Sequence, residues 1–196
     1  APVLGEFWVD EPRRDVAADT EEMVKADLSL SLDGYVAAVV AAKDRGLPVK
    51  LGLEVDFFPE TIDAVLELLA PYPWDFLIGA VHWVGGWSID YGVSAYEFTR
   101  RGVRQAYEDY FELEIQLAAS GAVDVLAHAD VVKRFGHVLP SAPTDLYAEV
   151  VNAAAESGTA VELSSAGLRK PVAEVYPAVP FLEMFHAAGV PITLAS

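Results

Sequence analysis

The sequence predicts an α/β protein whose parallel strands carry their polar residues at one end, and three observations lead there. Four short apolar runs each finish in residues able to bind a metal or act as an acid: LGLEVD with Glu54 and Asp56, FLIGAVH with His82, VDVLAHAD with His128 and Asp130, and AVELSS with Glu162. Each run has the length and apolar continuity of a buried parallel strand. The chain between successive runs suffices for a crossover helix, which parallel neighbours require. This alternation, with about five strands and four or five helices, favours a parallel sheet or barrel over other classes.

Taken in order, the stretch 1–29 mixes prolines, charges and apolar residues without a sustained period and predicts loop and short turns. SLDGYVAAVVAAKDRG predicts a helix with Ser31 or Asp33 at its start and Gly46 as a left-handed stop. The strand ending at Glu54 follows, then PETIDAVLELLAPY, a helix opened by an acidic turn and closed by prolines. WDFLIGAVHW is the second strand. GGWSIDYG reads as a glycine and aromatic loop, and YEFTRRGVRQAYEDYFELEIQLAASG as one long amphipathic helix stopping near Gly121. VDVLAHAD is the third strand and KRFGHVLPSAP a loop. TDLYAEVVNAAAESG is a helix capped by Ser141 or Thr144, TAVELSS the fourth strand, PVAEVYPAVPFLEMFHAAG the last crossover and PITLAS the final strand.

Composition narrows the function. With 196 residues, 53% of them hydrophobic, the chain can bury a sizeable core and is read as one domain. The longest apolar stretches, such as GYVAAVVAA, fall well short of the roughly 20 residues needed to span a bilayer, and no basic-then-apolar leader opens the sequence. No membrane partner and a cytoplasmic location are therefore expected. Cysteine is absent, so there is no disulfide framework or thiolate site, and any metal must be held by imidazole and carboxylate. A formal charge of −17 argues against nucleic acid as the main partner, because that binding needs lysine and arginine to neutralise phosphates. A small substrate remains.

Polar groups at the carboxyl ends of parallel strands point into the mouth of a barrel, so Glu54, His82 and His128 can approach one another despite their separation in sequence. Three such ligands suit a hard or borderline cation such as zinc, manganese or iron. A bound cation serves phosphoester hydrolysis by acidifying water and by neutralising charge on phosphoryl oxygens. Arginine adds a planar fork that matches those oxygens. Arg169, just after a strand end in SSAGLRKP, is the favoured candidate, whereas the arginines of RRGVR are read as solvent-facing. His186 is read as a partly buried packing residue and His137 as a surface loop residue. Trp83 and Trp87 either wall a pocket or pack over the rim. Neither a Walker loop, a dinucleotide fingerprint nor a GxSxG elbow occurs, which favours a metal-activated water over a serine nucleophile.

The segments GLEVDFFPE, DFLIGAVHWVGGWSID, EDYFE, VDVLAHADVVKRFG, VELSSAGLRKPVAEVYP and GVPITLAS, in this order from about Leu51 to Ser196, resemble the PHP-domain (polymerase and histidinol phosphatase) family, and GLRKP resembles its histidinol-phosphatase branch. The resemblance implies a distorted seven-stranded β/α barrel with two or three divalent metal ions that hydrolyses L-histidinol phosphate to L-histidinol and phosphate in histidine biosynthesis. It places Glu54 as a metal-bridging carboxylate, His82 and His128 as metal ligands, and Lys133, Arg134 and Arg169 toward the substrate phosphate. The family pattern also has an HxH pair on a first strand and a DxH pair after the strand matching PITLAS. Neither is found here, so residues 1–196 are expected to be a single PHP-like domain present as a fragment, binding metal weakly or with altered stoichiometry. Other expectations consistent with the pattern are a PHP phosphoesterase acting on another small phosphate ester or nucleotide, and a scaffold domain that has lost its metal site.

Overall fold

The computed structural model describes residues 31–92 and 95–196; the loop expected at 1–29 lies outside them. The first described element is helix α1, Leu32–Asp44, whose N-cap Ser31 accepts the Gly34 N–H through its hydroxyl at 3.3 Å. Gly46, at φ 84°, turns the chain away just past the helix end, as its freedom at positive φ allows. Strand β1, Gly52–Asp56, leads to α2, Ile62–Leu69, and β2, Phe76–Ala80. The expected loop after His82 is instead a small antiparallel hairpin, β3 Trp83–Val84 and β4 Trp87–Ser88, turned by Gly85 and Gly86 at positive φ. Its two buried tryptophans pack as core. Trp87 meets Phe98 edge-on, with ring centroids 4.6 Å apart.

The long helix predicted after the hairpin is two helices, α3 Tyr96–Arg101 and α4 Val103–Ser120. They break at Gly102, whose φ of 88° and ψ of 136° no helix can hold. On α4 the residues Ala106, Tyr107, Tyr110, Phe111, Glu114, Leu117 and Ala118 are buried, the three-and-four spacing of a single helical face. The helix lies so close to β2 that a Cβ on Gly79 would stand 2.7 Å from Leu117 Cδ1, which explains a glycine in mid-strand. Within that face Glu114 is fully buried and accepts the Tyr110 hydroxyl at 2.5 Å. Burial pushes its carboxyl up to about 8, against the opposing pull of the Tyr110 hydrogen bond.

Strand β5 is only Val125–Leu126, shorter than VDVLAHAD implied, because the backbone turns left-handed at His128 and enters a 3₁₀ turn at Val131–Lys133. Helix α5, Thr144–Ser157, starts after Pro143, and neither Ser141 nor Thr144 caps it through a side chain. Proline presets a φ near that of a helix, here −79°, and its carbonyl accepts the Tyr147 N–H at 3.0 Å. Then come β6, Ala160–Ser164, a 3₁₀ turn at Ser165–Arg169, α6, Val179–Ala187, and β7, Ile192–Ala195. His186 on α6 is exposed rather than packed.

Five strands form one parallel sheet in the order β1-β2-β5-β6-β7. Apart from the inserted hairpin this is chain order, the sequence of staves in a barrel, and among the described residues the sheet is open with β1 and β7 at its edges. Helices α4, α5 and α6 share an aromatic stack in which the Tyr147 and Phe181 rings lie nearly parallel with centroids 4.1 Å apart, flanked by Phe111 and Phe185. The core lies between these helices and the sheet and fixes the strand ends on which the candidate site depends. No described helix is long and apolar enough to cross a membrane.

Candidate metal centre

Register decides which strand ends meet. Glu54 on β1 pairs with Ile78 on β2, so β2 runs on to Ala80 opposite Asp56, and His82 emerges two residues past that pair. His128 follows β5, two residues beyond Leu126. These three side chains, far apart in sequence, therefore rise from adjacent strands at one end of the sheet. Each offers one ligand atom, and the three atoms all lie within 4.8 Å of one another. His82 Nε2 and His128 Nε2 are 3.3 Å apart, and each is 3.8 Å from Glu54 Oε1. At 3.8 Å the carboxylate contacts are ionic rather than hydrogen-bonded.

The polar neighbours hold these groups in different ways. Asp56 Oδ1 lies 2.6 Å from His82 Nδ1 and leaves Nε2 turned toward the centre. A carboxylate on the outer ring nitrogen is the usual arrangement behind a metal-binding histidine. Burial pulls the His82 imidazolium down, but the Asp56 hydrogen bond and the charges of Asp56, Asp90 and Glu54 outweigh it, and the pKa rises to about 9. Glu54 is held below the usual carboxylate range, chiefly by the facing His128 ring, while partial burial opposes the shift. Glu162 Oε2 accepts the backbone N–H of His128 at 2.8 Å. Among the described residues, the buried His128 Nδ1 has no hydrogen-bond partner.

The donor set suits a divalent cation. The two imidazole nitrogens that face each other can share only one proton between them, whereas a cation engages both together with the carboxylate. The 3.3 Å span between the nitrogens also matches the edge of a tetrahedral site with metal–nitrogen bonds of about 2.0 Å, close to 3.3 Å.

The three basic residues singled out in the sequence have different fates. Lys133 is enclosed, only 3% exposed, and its ammonium is occupied by Asp130 at 2.9 Å, Glu174 at 3.1 Å and the Val175 carbonyl at 2.8 Å. Its expected place facing a substrate is not seen, because burying an ammonium demands such partners. Arg134 is half-buried and donates from Nη1 to Asp90 Oδ2 at 3.3 Å, and Asp90 is close enough to act on the His82 charge. Arg134 is thus tied to a carboxylate whose charge is felt by His82. Arg169 is exposed in the turn after β6. Asp130, also named in the sequence, is turned away into the core, where it accepts the Ala178 N–H at 2.7 Å. Asp90 was missed, and the only signal for it was its place in the loop after a histidine-bearing strand. His137 stacks on Phe98 at 4.5 Å and is a packing residue.

Residues 17–166 match the PHP domain, and the chain belongs to the PHP-domain family. A protein of Deinococcus radiodurans named a probable histidinol-phosphatase is 37% identical over 168 residues, covering 84% of this chain and 64% of that protein. The chain thus spans a little under two thirds of that relative. Among solved structures, a candidate histidinol phosphatase of Listeria monocytogenes superposes with a TM-score of 0.74 at 19% identity, over 84% of this chain and 70% of its own. A histidinol phosphate phosphatase of Lactococcus lactis, solved with zinc, L-histidinol and phosphate, gives 0.69 at 21% identity, over 86% of this chain and 66% of its own. At these identities the likeness establishes a shared PHP-type fold.

Proposed function

We propose that residues 1–196 make up one PHP-type phosphoesterase domain of a metal-dependent histidinol-phosphatase, converting L-histidinol phosphate to L-histidinol and phosphate in cytoplasmic histidine biosynthesis. The observation that carries it is the convergence of Glu54, His82 and His128 on one point at the strand ends. The Deinococcus relative and the zinc, histidinol and phosphate bound by the Lactococcus protein supply the metal and substrate class.

Glu54, His82 and His128 would hold the ion, which is zinc, manganese or iron. When bound, it supplies Lewis acidity toward water and charge neutralisation on phosphoryl oxygens. The remaining work falls to the chain. Asp56 keeps His82 turned so that Nε2 faces inward. Arg134, with a buried Nε that no described residue engages, faces the phosphate from beside the centre, and Arg169 approaches from the exposed turn after β6. Lys133 contributes indirectly, by fixing the turn that carries Arg134.

Metal content by elemental analysis, coupled with phosphate release from histidinol phosphate and from a panel of other small phosphate esters and nucleotides, tests this. Metal uptake with preferential turnover of histidinol phosphate is expected. Turnover of another ester instead would keep the phosphoesterase and change its substrate, while metal-free, inactive protein would leave a scaffold domain.

A further inference from the structure

His128 sits in a backbone conformation that its surroundings must enforce. Its φ of 29° lies in the left-handed region, where a side chain bearing a Cβ is strained and where a non-glycine residue persists only if its neighbours over-determine it. Chain on both sides is anchored. Ala127 N–H donates to the Gly79 carbonyl at 2.9 Å, and the His128 carbonyl accepts Val131 N–H at 2.8 Å. The group that remains is His128 N–H, and it donates to Glu162 Oε2 at 2.8 Å. Glu162 stands on β6, whose register pairs Val161 with Leu126, so its side chain reaches across to the first residues beyond that pairing. It is outside the group of converging ligands, and the function proposed above leaves it without a task.

We propose that Glu162 is a positioning residue of the metal centre: its carboxylate holds the His128 amide and thereby fixes the left-handed turn that aims His128 Nε2 at Glu54 and His82. The proposal rests on the metal-centre reading given above. With the acceptor removed, the amide is unsatisfied and the residue relaxes toward negative φ, which swings the imidazole off the point where the other two ligands meet.

Two variants separate this role from direct ligation. Glu162→Gln keeps an acceptor oxygen for the amide but makes a poor metal ligand, whereas Glu162→Ala removes both. Zinc affinity would be measured by calorimetry on the wild-type chain and both variants, together with hydrogen exchange at the His128 amide and the melting temperature of the metal-free proteins. We expect Glu162→Ala to lose protection of the His128 amide and to bind zinc about 10–100-fold more weakly, with Glu162→Gln within about threefold of wild type. Wild-type zinc affinity in Glu162→Ala overturns the proposal, as does a His128 amide that exchanges freely in the wild type. Loss in Glu162→Gln as deep as in Glu162→Ala also overturns it, since Glu162 would then bind the ion itself. A wild-type chain that takes up no zinc, even with its His128 amide protected, defeats the metal-centre reading and the proposal together.

Discussion

The two ends of the sheet use acidic residues in the same reach and to opposite ends. At the amino end Asp75, just before β2, accepts the Leu51 N–H at 2.6 Å and the Lys43 ammonium at 2.7 Å, and Asp124, just before β5, accepts the Leu77 N–H at 2.7 Å. Each carboxylate stitches its strand to the one before it through a single oxygen, Oδ2. At the carboxyl end Asp56 and Glu162 also reach across one strand, to His82 and to the His128 amide, but the groups they hold are left facing one another. A strand-end carboxylate is structural where it holds an ammonium or the N–H of a residue whose side chain carries no ligand atom. It prepares chemistry where it orients a side chain whose ligand atom remains open. In β/α barrels the two ends divide stability and function in this same sense.

The sharpest break in that division lies at Lys133, which stands at the functional end yet is built like the structural one. Lys133→Met strips the fully buried Asp130 of its ammonium and should destabilise the fold by about 3–5 kcal/mol, the cost of an uncompensated buried charge. Because burial already pushes the Asp130 carboxyl up, part of that cost is relieved by protonation, and Lys133→Met with Asp130→Asn should recover much of the loss in a denaturant titration. Zinc affinity per folded molecule should stay unchanged. A weakened zinc site in a Lys133→Met protein that is fully folded would move Lys133 back into the site.

The opposite result is expected of His128→Ala. Removing one of three converging ligands should cost at least about 100-fold in zinc affinity, roughly 2.7 kcal/mol. The metal-free melting temperature should move far less, since ligand atoms that face one another add little without their ion. At the amino end Asp124→Ala should do the reverse: a loss of about 1 kcal/mol for the missing charge-assisted bond to Leu77, with zinc affinity intact. Paired calorimetric and thermal measurements on the two variants would collapse the distinction between the sheet ends if both parameters moved together in both proteins.

The fold was legible because its signals are local. Apolar runs and their spacing marked all five sheet strands, and Ser31 and Gly46 marked the ends of the first helix. The hairpin at Trp83–Ser88 was not, because two-residue strands carry no period and the glycine pair reads equally as loop. Nor did helical periodicity reveal the break at Gly102, since a single glycine is tolerated within a helical pattern and the buried pair Glu97 and Phe98 is too short a run to define a face of its own. The converging trio was visible from residue type and position on strand ends. What separated Arg134 from the adjacent Lys133 was not, since both are basic residues of one turn, and only the buried Asp130 tells them apart. Glu162 was left without a task for the same reason: sequence reports that an acid stands at a strand end, and only geometry reports which proton it holds.

The smallest expected effect concerns what Asp56 does to His82 before any metal arrives. The folded pKa of His82, about 9, lies above the value near 6.5 of an unfolded histidine. Its contribution to metal-free stability is therefore complete below about pH 6.5 and lost as pH rises through 9. Glu114, raised to about 8, slopes the same way but over a lower window, from about pH 4.5 to 8, so a single pH profile would mix the two. Asp56→Asn separates them, because it removes the strongest influence raising His82 and reaches Glu114 only through the His82 charge, the smallest of the influences on that carboxyl. Since Asp56 is 43% exposed, solvent screening reduces the pair to about 1 kcal/mol. The wild-type minus variant stability difference, from urea titrations between pH 6 and 10, should shrink by that amount as pH climbs past 9. A difference that is flat across that range would mean that Asp56 orients the ring without charging it, leaving Glu54 and Asp90 to hold the proton.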